Sequence, residues 1–206
     1  MELTPGQKDA LTELINIGYG RAAGALSELT GYRISLQVPS VTIHPIGDIS
    51  PMLEDVMDAD VASVNQRFTG PISGNAFLLL EESAAASLSH LLLDDGKVGN
   101  ELDAADREVI TEVGNILLNA CLGVFGNVLK VQVTFAVPRM HVQSIRRVLA
   151  SVEDEIQERV SYGLMIHTRF HIRDANVSGF LVIILGVTSL DRLLHELAAW
   201  EQRQGA

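Results

Sequence analysis

Two long stretches of the chain place apolar residues three and four positions apart, which is the spacing of an amphipathic helix. They run from Thr4 to Leu29 and from Asp103 to Leu129. At about 100° per residue the apolar residues of each stretch form one stripe, and the carboxylate and amide residues fall on the other side. We call these two sets the polar faces. They are Asp9, Glu13, Asn16 and Gly20 in the first helix, and Glu108, Glu112, Asn115 and Asn119 in the second.

Segments with the composition of β-strands follow each predicted helix. A short strand ending before a proline is predicted at Arg33–Val38 and again at Val131–Val137. Two longer strands and a closing helix then complete each half, while Val142–Asp154 fits either a helix or an irregular connection. The longer strands are Val61–Thr69, Gly74–Leu80, Val160–Ile172 and Ser178–Gly186, the turns are Gly70–Pro71 and Asp174–Asn176, and the closing helices are Glu81–Leu93 and Thr188–Gln202.

The two halves share residues in a single register with an offset of 99 positions. The identical pairs include Thr12 and Thr111, Glu13 and Glu112, Asn16 and Asn115, Gly24 and Gly123, and Pro39 and Pro138. This repeat predicts an α+β fold with a pseudo-twofold internal duplication, in which a largely antiparallel sheet packs against the long helices. We expect one domain, 1–206, made of repeats at about 1–94 and 101–206 and joined by a Gly- and Asp-rich linker. Joining the two sheets edge to edge would cover strand edges that are otherwise prone to aggregation.

The polar faces contain more asparagine and glycine than a solvated helix surface needs. Asparagine is less favourable than alanine inside a helix by about 0.5–0.7 kcal/mol, and each glycine costs about 1 kcal/mol. A solvated surface is the ordinary interpretation of one such face, but the same Glu-x-x-Asn arrangement occurs twice at equivalent positions. For Gly18, on the apolar side, we expect close helix–sheet packing. At Gly20 the missing side chain leaves room for the backbone of a partner.

Composition removes several classes of function. The chain has 206 residues, with 15 Lys and Arg against 26 Asp and Glu and a net charge of −11, which opposes nucleic-acid binding. The longest apolar runs, such as Phe180–Leu185, are far shorter than the roughly 20 residues that cross a bilayer, so no membrane insertion is expected. No signal peptide is evident, and the single cysteine, Cys121, excludes an internal disulfide. We therefore expect a cytoplasmic protein.

The helix faces together with the prolines resemble the CheC family of bacterial chemotaxis phosphatases, which is related to CheX and to the flagellar-switch protein FliY. The family motif is Asp or Ser, three residues, Glu, two residues, Asn and then about twenty-two residues to Pro. Asp9, Glu13, Asn16 and Pro39 fit it in the first half. Glu112, Asn115 and Pro138 fit it in the second half, where Glu108 replaces the usual Asp or Ser.

The resemblance implies hydrolysis of the aspartyl-phosphate of a phosphorylated CheY-type response regulator. Asn16 and Asn115 would orient the attacking water, because an amide offers both a donor and an acceptor. Glu13 and Glu112 would anchor the regulator's active-site lysine. The remaining polar-face residues would contact the regulator, and the two prolines would shape a turn after a strand. No cofactor of its own is expected, because the regulator's site brings a divalent metal, Mg²⁺.

Two other functions stay open at the level of sequence. A metal-dependent hydrolase is disfavoured, since only His167 and His171 are close in sequence and a zinc site needs three or four ligands. A non-catalytic module that binds phosphorylated CheY or the deamidase CheD is the stronger alternative. FliY-type proteins would carry a further C-terminal motor domain, and this chain ends soon after Trp200, which favours a free phosphatase.

Overall fold

The computed structural model describes residues 3–57, 60–94, 96, 99, 101–153 and 161–204. Most of the predicted linker, as well as Asp154 and Val160, lies outside the described residues. Within those ranges the chain forms six helices and seven strands. The helices are α1 (Pro5–Thr30), α2 (Ile46–Glu54), α3 (Glu82–Leu93), α4 (Ala104–Leu129), α5 (Ile145–Glu153) and α6 (Val187–Gln204). The strands are β1 (Ile34–Pro45), β2 (Asp60–Thr69), β3 (Gly74–Glu81), β4 (Thr134–Phe135), β5 (Arg139–Ser144), β6 (Ser161–Ile172) and β7 (Ala175–Gly186).

Side-chain caps set the start of both long helices. The backbone N–H of Gln7 donates to Thr4 Oγ1 over 3.2 Å, and the backbone N–H of Thr4 donates back to Gln7 Oε1 over 3.0 Å. Asp103 and Asp106 make the same reciprocal pair at the start of α4. Such capping boxes satisfy backbone donors that the first helical turn leaves unpaired. The two predicted long helices are confirmed to within one residue at each end.

All seven strands belong to one antiparallel sheet with the order β1-β6-β7-β3-β2-β4, and β5 also pairs with β2. The halves meet where β3 pairs with β7, from Gly74 opposite Leu185 to Leu79 opposite Phe180. In addition, β1 pairs with β6 of the other half, and β2 pairs with β4 and β5. The predicted α+β fold is confirmed, and the internal duplication itself stays a prediction.

The sheet is covered on both sides. A large apolar core lies between one face of the sheet and the helices α1, α3, α4 and α6. There a Cβ atom added at Gly114 would lie 2.5 Å from Cγ1 of Val64, so α4 packs directly on β2. A smaller core lies on the other face, under α2 and α5. Because α2 and α5 are only nine residues long, they cover less of their face than the long helices do.

The strands next to the prolines differ from the prediction. β1 does not end before Pro39 but continues to Pro45, and its register with β6 shifts between Gln37 and Ser40. A proline has no N–H for the ladder, and such a bulge is where a strand tolerates one. The expected turn at Pro39 is therefore wrong. In the second half, Pro138 lies between β4 and β5, so the same motif residue occupies two different settings.

Two further elements were missed or left open. The segment Val142–Asp154 contains the end of β5 and then α5, so within its described residues the helical alternative is correct from Ile145 onwards. The helix α2 was not predicted, and Pro51 inside it explains why, because proline normally marks a helix boundary. β7 begins at Ala175, so only Asp174 of the predicted turn Asp174–Asn176 lies outside the strand.

One helix has the length and apolar composition of a membrane span. This is Ala104–Asn127 of α4, and 56% of its apolar window is buried inside the protein. Core helices of globular proteins pass the same test of length and composition. The prediction of no membrane insertion overlooked this helix and stays a prediction.

Candidate functional site

The polar face of α1 is open to solvent. Asp9, Glu13, Asn16 and Gly20 are all exposed. Glu13 and Asn16 are three residues apart and therefore neighbours on the helix surface. Within the described part of the chain, the amide of Asn16 has no hydrogen-bond partner. Its donor and acceptor are both available to a partner molecule.

The polar face of α4 carries its asparagines in a hydrogen-bonded chain. Glu108 and Glu112 are exposed, whereas Asn115 and Asn119 are partly buried. The Nδ2 atom of Asn115 donates to Oε2 of Glu112 over 3.3 Å. The Nδ2 atom of Asn119 donates to Oδ1 of Asn115 over 2.7 Å. Both polar groups of the Asn115 amide are thus engaged within the helix.

One position accounts for part of the difference between the two faces. Gly20 occupies the place in α1 that Asn119 occupies in α4, given the 99-residue offset. A glycine has no side chain that could reach Asn16. The structure places all eight predicted site residues on two helix faces. The amide of Asn16 has no hydrogen-bond partner among the described residues, whereas the amide of Asn115 has two.

The glycines of α1 have separate roles. A Cβ atom added at Gly18 would lie 3.0 Å from Cα of Cys121 in α4, while one added at Gly20 would meet nothing within 4 Å. The close packing predicted for Gly18 is present, but its partner is a helix rather than the sheet. Cys121 itself is buried, as predicted, and burial raises the pKa of its thiol. It belongs to the core and not to a reactive site.

An apolar groove adjoins the polar face of α4, and the sequence analysis did not identify it. Its volume is about 400 Å³, and it lies where the end of α1 and the end of α3 meet the first half of α4. Leu29 and Leu93, in its walls, are 66% and 44% exposed. Glu108 and Glu112 also line it. The leucine that ends each of two predicted helices, Leu29 and Leu93, is the signal in the sequence that could have indicated it.

The two histidines that are close in sequence make contacts within the sheet. The ring of His167 stacks on Phe180 with 5.1 Å between centroids, and burial lowers its pKa. His171 shares a hydrogen bond of 3.0 Å with Asn176. Among the residues that the structure describes, no three or more His, Cys, Asp or Glu side chains are grouped to hold a metal ion.

Comparison with known proteins shows that the segment with the polar face of α1 is similar to a known family. The model of the CheC-like family matches residues 7–43, a segment that contains Asp9, Glu13, Asn16, Gly20 and Pro39. The flagellar motor switch phosphatase FliY of Bacillus subtilis is 25% identical over 170 residues, which are 80% of this chain and 44% of FliY. The CheY-P phosphatase CheC of the same organism is 24% identical over 165 residues, which are 79% of this chain and 78% of CheC.

Solved structures show the same fold. The crystal structure of Thermotoga maritima FliY matches with a TM-score of 0.77 and 18% identity, over 97% of this chain and 99% of that one. The middle domain of FliM from H. pylori matches with a TM-score of 0.66 and 15% identity, over 94% and 99% of the two chains. At these identities the likeness concerns the arrangement of helices and strands.

Proposed function

Since residues 7–43 match the model of the CheC-like family, we propose that the chain is a member of it and hydrolyses the aspartyl-phosphate of a CheY-type response regulator in chemotaxis signal transduction. The observation that carries this proposal is the free, exposed amide of Asn16, one helical turn from the exposed carboxylate of Glu13. Both residues lie within the segment that the family model matches. The relatives named as phosphatases, FliY and CheC, support the same class of activity.

The chemistry needs little from the phosphatase. Transfer of a phosphoryl group is accelerated mainly by positioning the nucleophile and by electrostatic stabilisation. The Asn16 amide would accept a hydrogen bond from a water molecule and hold it in line with phosphorus, as glutamine does in GTPases. Glu13 would bind the regulator's active-site lysine and so fix the helix against the phosphorylated site. Mg²⁺ bound by the regulator would offset charge on the phosphoryl oxygens.

Glu112 and Asn115 would form a second site of the same kind. There the amide must first give up its bonds to Glu112 and Asn119, each of which is worth about 0.5–1.5 kcal/mol. We therefore assign the larger share of activity to Asn16. The other polar-face residues, Asp9, Gly20, Glu108 and Asn119, would contact the regulator.

A non-catalytic binding module is the second candidate function. The apolar groove beside Glu112 favours it, because exposed leucines next to a carboxylate form a surface that a protein partner can cover. That partner would be phosphorylated CheY or, as the family resemblance implies, CheD. In either case the protein would work in the cytoplasm.

The test follows decay of the aspartyl-phosphate on a phosphorylated CheY. The variants are Asn16→Ala, Asn115→Ala and the double mutant, with Asn127→Ala as a matched control because Asn127 is an exposed asparagine of α4 outside the polar face. We expect Asn16→Ala to slow the reaction more than Asn115→Ala. The double mutant should lose about 100-fold, the size of effect seen when one transition-state contact is removed.

Two outcomes would contradict the proposal. A double mutant as active as the wild type would exclude the assigned mechanism. Wild-type protein that elutes with phosphorylated CheY but does not accelerate its dephosphorylation would establish the binding module instead. Unchanged melting temperatures in all variants would show that the losses come from the site and not from the fold.

A further inference from the structure

A polar cavity of about 600 Å³ lies on the opposite face of the sheet from α1 and α4. Its floor is formed by alternate residues of β2, β3 and β5, which face the same side as the smaller core. The wall on one side is residues 136–137, between β4 and β5, and Val148 of α5 contributes to another. A volume of this size is typical of pockets for small molecules, which run from about 300 to 1,000 Å³.

The charge of this cavity is opposite to that of the protein. Two arginines and a histidine line it, and none of the eleven described residues that line it is acidic, although the chain as a whole carries −11. Strand register brings the lining residues of β2 and β5 together, because Asn65 lies opposite Arg139 and Ser63 lies opposite His141. Arg67 extends the row along β2. A guanidinium group is suited to bidentate contacts with phosphate or carboxylate.

Two asparagines in this cavity have acceptors without a partner among the described residues. Asn75 is only 3% exposed, and within that part of the chain its Oδ1 atom has no hydrogen bond, nor has Oδ1 of the neighbouring Asn65. Asparagine is disfavoured in strands, and an unsatisfied buried amide destabilises a fold. Both residues nevertheless stand in the middle of the sheet, where Asn75 has the buried apolar neighbours Phe77 and Ile184. An unpaired polar group at such a place calls for a donor from outside the chain.

We propose that this cavity binds a small organic anion that also carries hydroxyl or amino groups. Arg139 and His141 bind its phosphate or carboxylate, and Arg67 adds positive charge to the lining. Its hydroxyl or amino hydrogens donate to the free Oδ1 atoms of Asn65 and Asn75. The site is separate from the polar helix faces and does not depend on the phosphatase proposal.

Isothermal titration calorimetry on the full chain tests this, with glycerol 3-phosphate, glycerate, inorganic phosphate and glycerol as probes. Glycerol 3-phosphate and glycerate distinguish a phosphate from a carboxylate as the anionic group. We expect at least one of the two to bind about fivefold or more tightly than inorganic phosphate, and glycerol to give no signal, because both halves of the site are needed. If no probe binds at 10 mM, or if inorganic phosphate binds as tightly as the organic anions, the proposal is overturned.

Two arginine variants test whether the cavity itself binds the anionic group of the ligand. Arg139→Gln, on the edge strand β5, should weaken the organic anion about tenfold or more. Arg33→Gln is the matched control, an exposed arginine outside the cavity, and should bind like the wild type. Equal losses in both would mean non-specific attraction of anions and would refute the site.

Asn75→Leu distinguishes a ligand-binding amide from a structural one. Leucine has the same branched arrangement of four side-chain heavy atoms as asparagine and suits the apolar neighbours, and the open cavity takes up its larger volume, so we expect an unchanged or higher melting temperature. The preference for organic anions over inorganic phosphate should disappear. A melting temperature lowered by several degrees with an unchanged preference would show that the amide serves the fold, which would contradict the proposal.

Discussion

At the scale of single residues, the two polar faces differ in whether the amide of their motif asparagine is hydrogen-bonded within the helix. Asn115 is held between Glu112 and Asn119, whereas Asn16 has Gly20 at the position equivalent to Asn119. Engaged donors and acceptors have to exchange partners before they can contact a substrate, and that exchange costs free energy. The side chain at position 119 should therefore limit what Asn115 can do.

Replacing Asn119 by alanine should release the amide of Asn115. In an Asn16→Ala background, where only the second site remains, we expect Asn119→Ala to raise the rate of CheY dephosphorylation by about two- to tenfold, the value of one hydrogen bond of about 0.5–1.4 kcal/mol. The rate is measured at saturating phosphorylated CheY, so that the loss of a docking contact by Asn119 does not lower it. In an Asn115→Ala background the same change should have no effect. A lower rate in the first background would mean that Asn119 positions Asn115 for catalysis instead of competing for it.

At the scale of elements, local signals were enough to predict the long helices and their polar faces. The apolar stripe and the capping residues Thr4 and Asp103 are local in sequence, so α1 and α4 could be located without knowing their neighbours. The extent of β1 could not be predicted, because pairing with β6, which is distant in sequence, carries the strand past Pro39. The bonds of Asn115 follow from side-chain rotamers, which periodicity does not specify.

The contact between α1 and α4 gives a prediction in which two glycines of one helix respond in opposite ways. Gly18→Ala should destabilise the protein by about 1–3 kcal/mol, because its Cβ would press on the backbone of Cys121. Gly20→Ala meets nothing and should stabilise it by up to about 1 kcal/mol, the gain in helix propensity. Urea denaturation of both variants measures these changes in the free energy of unfolding.

Replacing a third glycine, Gly24, distinguishes an effect on stability from an effect on binding of the regulator. Gly24 is also exposed on α1 with open space around it, so Gly24→Ala should match Gly20→Ala in stability. Only Gly20→Ala should weaken binding of phosphorylated CheY, since Gly20 lies beside Asn16 on the polar face. If both variants bind like the wild type, the interpretation of Gly20 as a point of close approach is wrong.

At the scale of the whole molecule, the two halves are interlocked by strand pairing and by contacts at the surface. Each half supplies strands that pair with the other, and one large core contains residues of both. A cluster of three side chains adds to this connection. Tyr32 donates a hydrogen bond of 2.7 Å to Asp94, and Arg173, in the turn between β6 and β7, approaches Asp94 to 2.8 Å and stacks over the Tyr32 ring at 4.0 Å.

This cluster should make stability depend on pH in the acid range. Hydrogen bonds from Arg173 and Tyr32 lower the pKa of Asp94 from 3.8 to about 2. A carboxyl group with a lowered pKa in the folded state stabilises the fold above its unfolded pKa and loses that effect as the pH falls through the folded value. Asn tolerates the left-handed conformation of Asp94, φ 54°, so Asp94→Asn removes the charge without straining the backbone.

In thermal melts the melting temperature of the wild type should exceed that of Asp94→Asn at pH 5–7, and the difference should shrink between about pH 4 and pH 2. Asp174→Asn, an exposed neighbour of Arg173, should follow the wild type, and a difference for Asp94→Asn that stays constant down to pH 2 would show that the ionised carboxylate does not join the halves.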